Sequence, residues 1–114
     1  MLKNPSIILK IAARIGPKAA VNGLKLLGIN PISLMSKSML MGFIKEIFHS
    51  NPKIIMPSAW VKSLLEIARN FNLQIRLDLW HVGTHWEFAH LHIGKFHVAF
   101  DPSMLEYIKR FLGL

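Results

Sequence analysis

HLHIGKFHVAF, residues 90–100, is the stretch whose reading decides the fold. Gly94-Lys95 at its centre suits a two-residue hairpin turn of type II′, whose first position needs a positive φ that glycine adopts without steric cost. Such a turn sets a register. Ile93 faces Phe96, His92 faces His97, Leu91 faces Val98 and His90 faces Ala99; further out, Ala89 faces Phe100 and Phe88 faces Asp101. Side chains alternate along a strand, so each opposed pair lies on one face. One face then carries Ala89, Leu91, Ile93, Phe96, Val98 and Phe100, all apolar. The other carries Phe88, His90, His92, His97, Ala99 and Asp101. A slip of one residue would mix the two sets, so the sorting itself supports the register. Three of the six histidines therefore meet on one face. His92 and His97 are direct neighbours, with Cβ atoms about 4.5–5.5 Å apart.

Working outward, a period of two begins at Leu73. Leu73, Ile75, Leu77 and Leu79 share one face, while Gln74, Arg76, Asp78 and Trp80 share the other. The loop HVGTH (81–85) separates this strand from one expected over 86–93; the return strand covers 96–101. Pro102 ends it, and Ser103 is expected to cap a last helix over 104–112. Upstream, Ser58 is the expected N-cap of a helix over 59–70 burying Trp60 or Val61, Leu64, Leu65, Ile67 and Ala68. Helical spacing also predicts helices over 5–15, 17–27 and 32–48, punctuated by Gly16-Pro17, Gly28 and Asn30-Pro31. The third is rich in Met and Leu, a composition that serves a core or a partner groove. His49-Ser-Asn-Pro52 is the best internal boundary. The expected architecture is α+β: a helical N-terminal half, then a helix packed on a small three- to four-stranded antiparallel sheet, with a C-terminal helix. Residues 1–50 form the basic helical segment and 51–114 the candidate catalytic unit.

Composition narrows the function classes. A chain of 114 residues has room for one core. Its 52 % apolar content argues against disorder. There is no cysteine, which excludes disulfides, thiolate metal sites and a thiol nucleophile. The net charge of +8 is lopsided. Residues 1–45 contain Lys3, Lys10, Arg14, Lys18, Lys25, Lys37 and Lys45 and no acid, whereas the remainder is close to neutral. That asymmetry points to an anionic partner for the first part, either nucleic acid or a peripheral membrane contact. No apolar run reaches the roughly 18 residues of a spanning helix, and Lys10, Arg14 and Lys18 interrupt any secretory signal.

The histidine face admits two chemistries. In metal-free RNA cleavage the ribose 2′-hydroxyl is the nucleophile, and the protein supplies a base, an acid and a cation for the phosphoryl oxygens. His90, His92 and His97 can fill the first two roles, with His81 or His85 overhanging from the loop. Lys95 at the hairpin tip or Arg76 on the neighbouring strand can supply the cation. Thr84 offers a hydroxyl, and Trp80 or Trp86 could stack an unpaired base. The second chemistry is a zinc site: His-x-His on one strand and a third His on the next can leave a coordination position open for water. Glu87 and Asp101 are then outer candidates. Bland readings stand beside these: Arg76 could pair with Asp78, and Lys95 could merely solubilise a turn. His49, alone at a helix end, reads as structural.

The run WHVGTHWEFAHLHIGKFHVAFDP (80–102), following the helix over 58–70, resembles the C-terminal toxin domains of bacterial polymorphic and contact-dependent toxin systems. Within these it is similar to the barnase, endoU, colicin and RelE-like group of metal-independent RNases. The resemblance covers about residues 57–114. It implies an endoribonuclease without a cofactor, active through His90, His92 and His97 with His81, Thr84 and Lys95. It further implies an RNA substrate, an acidic immunity protein as partner, and delivery of the bacterial effector into a target-cell cytoplasm. The basic, Met-rich helical front departs from that pattern, as does the near-neutral catalytic half.

Overall fold

Apolar spacing and turn chemistry together account for the order of elements. The computed structural model describes residues 10–11, 13–51, 53–78 and 90–114. Helix α1 (Pro17–Leu26) starts with proline, whose missing N–H costs nothing at the first turn. It buries Ala20, Val21 and Leu24 and ends where Gly28 takes φ +69°. The expected helix over 32–48 is in fact three pieces. Pro31–Leu34 is a 3₁₀ turn held by the Asn30 side chain, which accepts from the Ile32 N–H. Ser36 then caps helix α2 (Lys37–Phe43), and Ile44–His49 continues it as a π-helix. Phe43, Ile44, Ile47 and Phe48 of this run are buried, with Phe48 edge-on to Phe43 at 5.7 Å.

Strand β1 (Ile55–Met56) precedes helix α3 (Ser58–Asn70). Trp60, Val61, Leu64, Leu65 and Ala68 form the buried face of α3, the period expected of an amphipathic helix. Ser58 is the helix's first residue rather than its cap; Pro57 occupies the cap position and no side chain bonds there. Strands β2 (Ile75–Asp78), β3 (His90–Ile93) and β4 (Phe96–Phe100) follow. Asp101, not Ser103, makes the last cap: its carboxylate accepts from the Ser103 N–H at 2.9 Å and opens a 3₁₀ turn (Pro102–Met104). That turn leads into helix α4 (Leu105–Leu112), which closes on Gly113 at φ +75°.

The sheet order is β1-β4-β3-β2. β2, β3 and β4 are antiparallel as expected, and the fourth strand, β1, joins β4 in parallel through Ile55↔Ala99 and Met56↔Phe100. The hairpin register matches the sequence reading, with Ile93↔Phe96, His92↔His97, Leu91↔Val98 and His90↔Ala99. Gly94 has φ +59°, and Asn72 is the one non-glycine with positive φ among the described residues, so the turn is of type II′. Leu91, Ile93, Val98 and Phe100 face the core shared with Leu40, Phe43, Phe48 and the buried side of α3. At the opposite end of the chain Ile15, Leu26 and Leu27 remain exposed. Among the described residues no helix is long and apolar enough to cross a membrane.

Candidate metal centre

The strand pairing gathers the site. Arg76↔His92 and Asp78↔His90 join β2 to β3, and His92↔His97 joins β3 to β4. Period-two alternation therefore puts Arg76, Asp78, His90, His92 and His97 on one face. In a two-residue hairpin the pair closing the turn is hydrogen-bonded, so the next pair, His92–His97, is the closer non-hydrogen-bonded kind. The rings show it: their centroids are 4.1 Å apart, with His90 5.0 Å from His92 and 5.2 Å from His97. One nitrogen from each of the three rings lies within 4.8 Å of the other two.

This face is covered rather than solvated. His90 is fully buried, and the His92 side chain is 12 % exposed. Asp78 supplies the counter-charge. Its Oδ2 lies 2.5 Å from His92 Nε2, 3.2 Å from Arg76 Nη2 and 3.9 Å from His90 Nε2. Partial burial pushes the Asp78 carboxyl upward, but His92, the Arg76 hydrogen bond and charge, and His90 outweigh it and hold the group below the usual carboxylate range. Arg76 Nη2 is 3.4 Å from both ring nitrogens of His92. Equal distances place the guanidinium over the ring face instead of on either lone pair. Arg76, 58 % exposed, thus covers the His92 ring from the solvent side.

A fourth histidine arrives from the helical half. His49 packs against the edge of Phe96 at 5.2 Å and lies near-parallel to His97, centroids 5.0 Å apart. Its Nδ1 accepts from the His97 backbone N–H at 3.0 Å and lies 3.1 Å from His97 Nδ1. The N–H of a non-hydrogen-bonded residue points away from its hairpin partner. Among the described residues β1 pairs with Ala99 and Phe100, so His49 occupies the sheet edge beyond the end of β1.

The expected site residues divide accordingly. His90, His92, His97 and Arg76 come together. Lys95 does not join them: it is exposed at the turn, its Nζ 5.6 Å from the centre of the Phe96 ring. Asp101 caps a turn instead of serving the cluster. His81, Thr84, Trp80 and Trp86, with His85 and Glu87, lie outside the described residues. Two participants were missed. Asp78 was assigned to the correct face but read only as a partner for Arg76. His49, alone at a helix end, reads as structural in the sequence, whereas the π-turn over Ile44–His49 carries it onto the β4 edge.

These donors suit a first-row divalent ion. Tetrahedral zinc with bonds of 2.0–2.1 Å to nitrogen needs its ligand nitrogens about 3.4 Å apart, a small side-chain adjustment from the spacing here. Ligating imidazoles characteristically donate the other ring N–H to a carboxylate or similar acceptor. His92 has Asp78 for that purpose, and His97 has His49. The three-histidine group could therefore hold a metal. No protein-family model, curated protein or solved structure matches the chain. The resemblance to toxin RNases accordingly rests on its short motif alone.

Proposed function

We propose that this chain is a zinc-type metalloprotein in which His90, His92 and His97 hold one divalent ion for hydrolytic chemistry. The single observation that carries the reading is the convergence of one nitrogen from each ring within 4.8 Å on a covered face. Three neutral imidazole ligands leave a fourth position for water or substrate, the arrangement of catalytic rather than structural zinc. When bound, the ion would polarise a substrate oxygen and acidify water. The chain's own groups do the rest. Asp78 orients His92, the walls around His90 exclude bulk water, and Arg76 places a positive charge at the solvent side, where an anionic substrate group or a developing oxyanion would sit.

Metal-free RNA cleavage asks for a different spacing. The attacking and leaving oxygens lie on opposite sides of phosphorus, and base and acid each stand a hydrogen bond beyond them, so their nitrogens sit about 6 Å or more apart. The one nitrogen per ring that converges within 4.8 Å of its neighbours is closer than that. The same spacing is within reach of a shared ion.

The test is elemental analysis and zinc titration of the purified full chain. One zinc per chain is expected, and His92→Ala and His97→Ala should each weaken binding at least a hundredfold. A chain that takes up no zinc at micromolar concentration overturns the reading. Cleavage of total RNA that persists in excess chelator and disappears in His92→Ala would establish the transesterification alternative in its place.

A further inference from the structure

The contact between His49 and His97 fixes where their protons are. A backbone amide can only donate, so the 3.0 Å bond from the His97 N–H requires a lone pair on His49 Nδ1. His49 is then the tautomer protonated on Nε2. Its Nδ1 also lies 3.1 Å from His97 Nδ1, and two facing lone pairs at that separation would repel. His97 Nδ1 must carry a proton and direct it at His49. The lone pair of His97 is thereby on Nε2. Which ring nitrogen of a histidine ligates a metal is set by the hydrogen bond the other one makes.

The local structure is built to hold His49 in this role. The Ser50 N–H reaches the Lys45 carbonyl at 3.2 Å, an i→i−5 bond, and Ser50 Oγ donates to the same carbonyl at 2.9 Å. Asn51 Nδ2 reaches the carbonyls of Glu46 (3.2 Å) and Ile47 (3.0 Å). These bonds occupy carbonyls that a helix end otherwise leaves open. Buried Ile44, Ile47 and Phe48 anchor the turn from the other side. A π-turn is less favourable than the α-helix it interrupts and marks functional positions more often than chance would place it. Here its consequence is specific: it swings His49 onto the β4 edge.

We infer that His49 is a positioning residue of the metal centre: it accepts a hydrogen bond from the His97 Nδ1–H and so presents His97 Nε2 as the ligand atom. The inference rests on the metal reading above for its consequence, but not for the tautomer itself. His49 does not ligate, since its Nδ1 lone pair is shared between the His97 amide and the His97 Nδ1 proton, and its Nε2 carries its own proton.

Two substitutions separate its parts. His49→Phe keeps a ring against Phe96 and removes the acceptor; His49→Gln keeps an acceptor oxygen on a chain of similar reach. Zinc affinity, read by competition with a chromophoric chelator, should fall 10–100-fold in His49→Phe and return most of the way in His49→Gln. Long-range ¹H–¹⁵N spectra of the metal-free protein should show His97 protonated on Nδ1 in the wild type and in His49→Gln, and no longer so in His49→Phe. Should His49→Phe fail to fold, His49→Gln and the wild-type spectrum still decide the tautomer. Wild-type zinc affinity in His49→Phe, or a wild-type His97 protonated on Nε2, overturns the inference and leaves the metal reading intact. A wild-type chain that binds no zinc but shows the Nδ1 tautomer removes the metal reading instead.

Discussion

Asp78 is the residue on which the cluster's electrostatics turn, because two imidazoles and a guanidinium share one of its oxygens. Its pair with Arg76 is too solvated to matter much for folding; exposed ion pairs contribute about 0–1 kcal/mol. Its bond to His92 matters for ligation, since removing such an outer partner lowers metal affinity 10–100-fold. Asp78→Asn, which keeps the shape and loses the charge, should therefore weaken zinc binding about tenfold or more. Because the Asp78 carboxyl is also held below the usual range, the melting temperature of the metal-free protein should fall modestly at neutral pH. A large fall in melting temperature with unchanged zinc affinity would reverse that assignment. Asp101 makes the complementary case. The Ser103 N–H hydrogen bond holds its carboxyl below the usual range. A carboxyl depressed in the folded state stabilises above its unfolded pKa, about 3.9, and that contribution is lost as pH falls through the folded value. Asp101→Ala should be less stable than wild type at neutral pH, and denaturation curves should converge in strong acid. A gap that persists below both pKa values would show that charge plays no part in the cap.

At the scale of elements, the hairpin was legible because two independent signals agree: Gly94 supplies the turn, and alternation on both sides sorts cleanly around it. Gly94 takes φ +59°, and a Cβ there would meet only the Met41 methyl carbon at 3.6 Å, an ordinary contact. The cost of Gly94→Ala is therefore backbone strain, about 1–2 kcal/mol, measurable by urea denaturation. A neutral result would mean the turn can change type without disturbing the His92–His97 pair. β1 was not legible, because two residues carry no period; Ile55 and Met56 become a strand only because β4 offers them an edge. Nor was the π-turn. Leu40, Phe43, Ile44, Ile47 and Phe48 recur at ordinary helical spacing, and nothing in that pattern announces a wider turn at its end. What selects it is tertiary: the caps from Ser50 and Asn51 and the amide of His97. Asn51→Ala, which deletes two bonds at about 0.5–1.5 kcal/mol each net, should cost about 1–3 kcal/mol. It should also loosen His49, seen as exchange broadening of its ring resonances.

Across the whole molecule, the cluster links stretches that the sequence keeps far apart. His97 and His49 are 48 residues distant along the chain, and the helical turn bearing His49 packs directly on β4. Histidine count and strand alternation could locate three of the four rings; the fourth needed the tertiary contact between a helix end and the edge of β4. A metal that binds only the folded arrangement must stabilise all of it, because the unfolded chain does not hold His90, His92 and His97 together. Linkage sets the size: free zinc at one hundred times its dissociation constant adds about 2.7 kcal/mol. In thermal melts the full chain should unfold at a higher temperature with zinc than with chelator, and the increment should grow with the logarithm of free zinc. His92→Ala should abolish the increment, whereas Lys95→Ala, at the hairpin tip outside the cluster, should keep it whole. Equal melting temperatures with zinc and with chelator would mean that the folded chain gains no ion, and the buried histidine face would then have to act through its own protons alone.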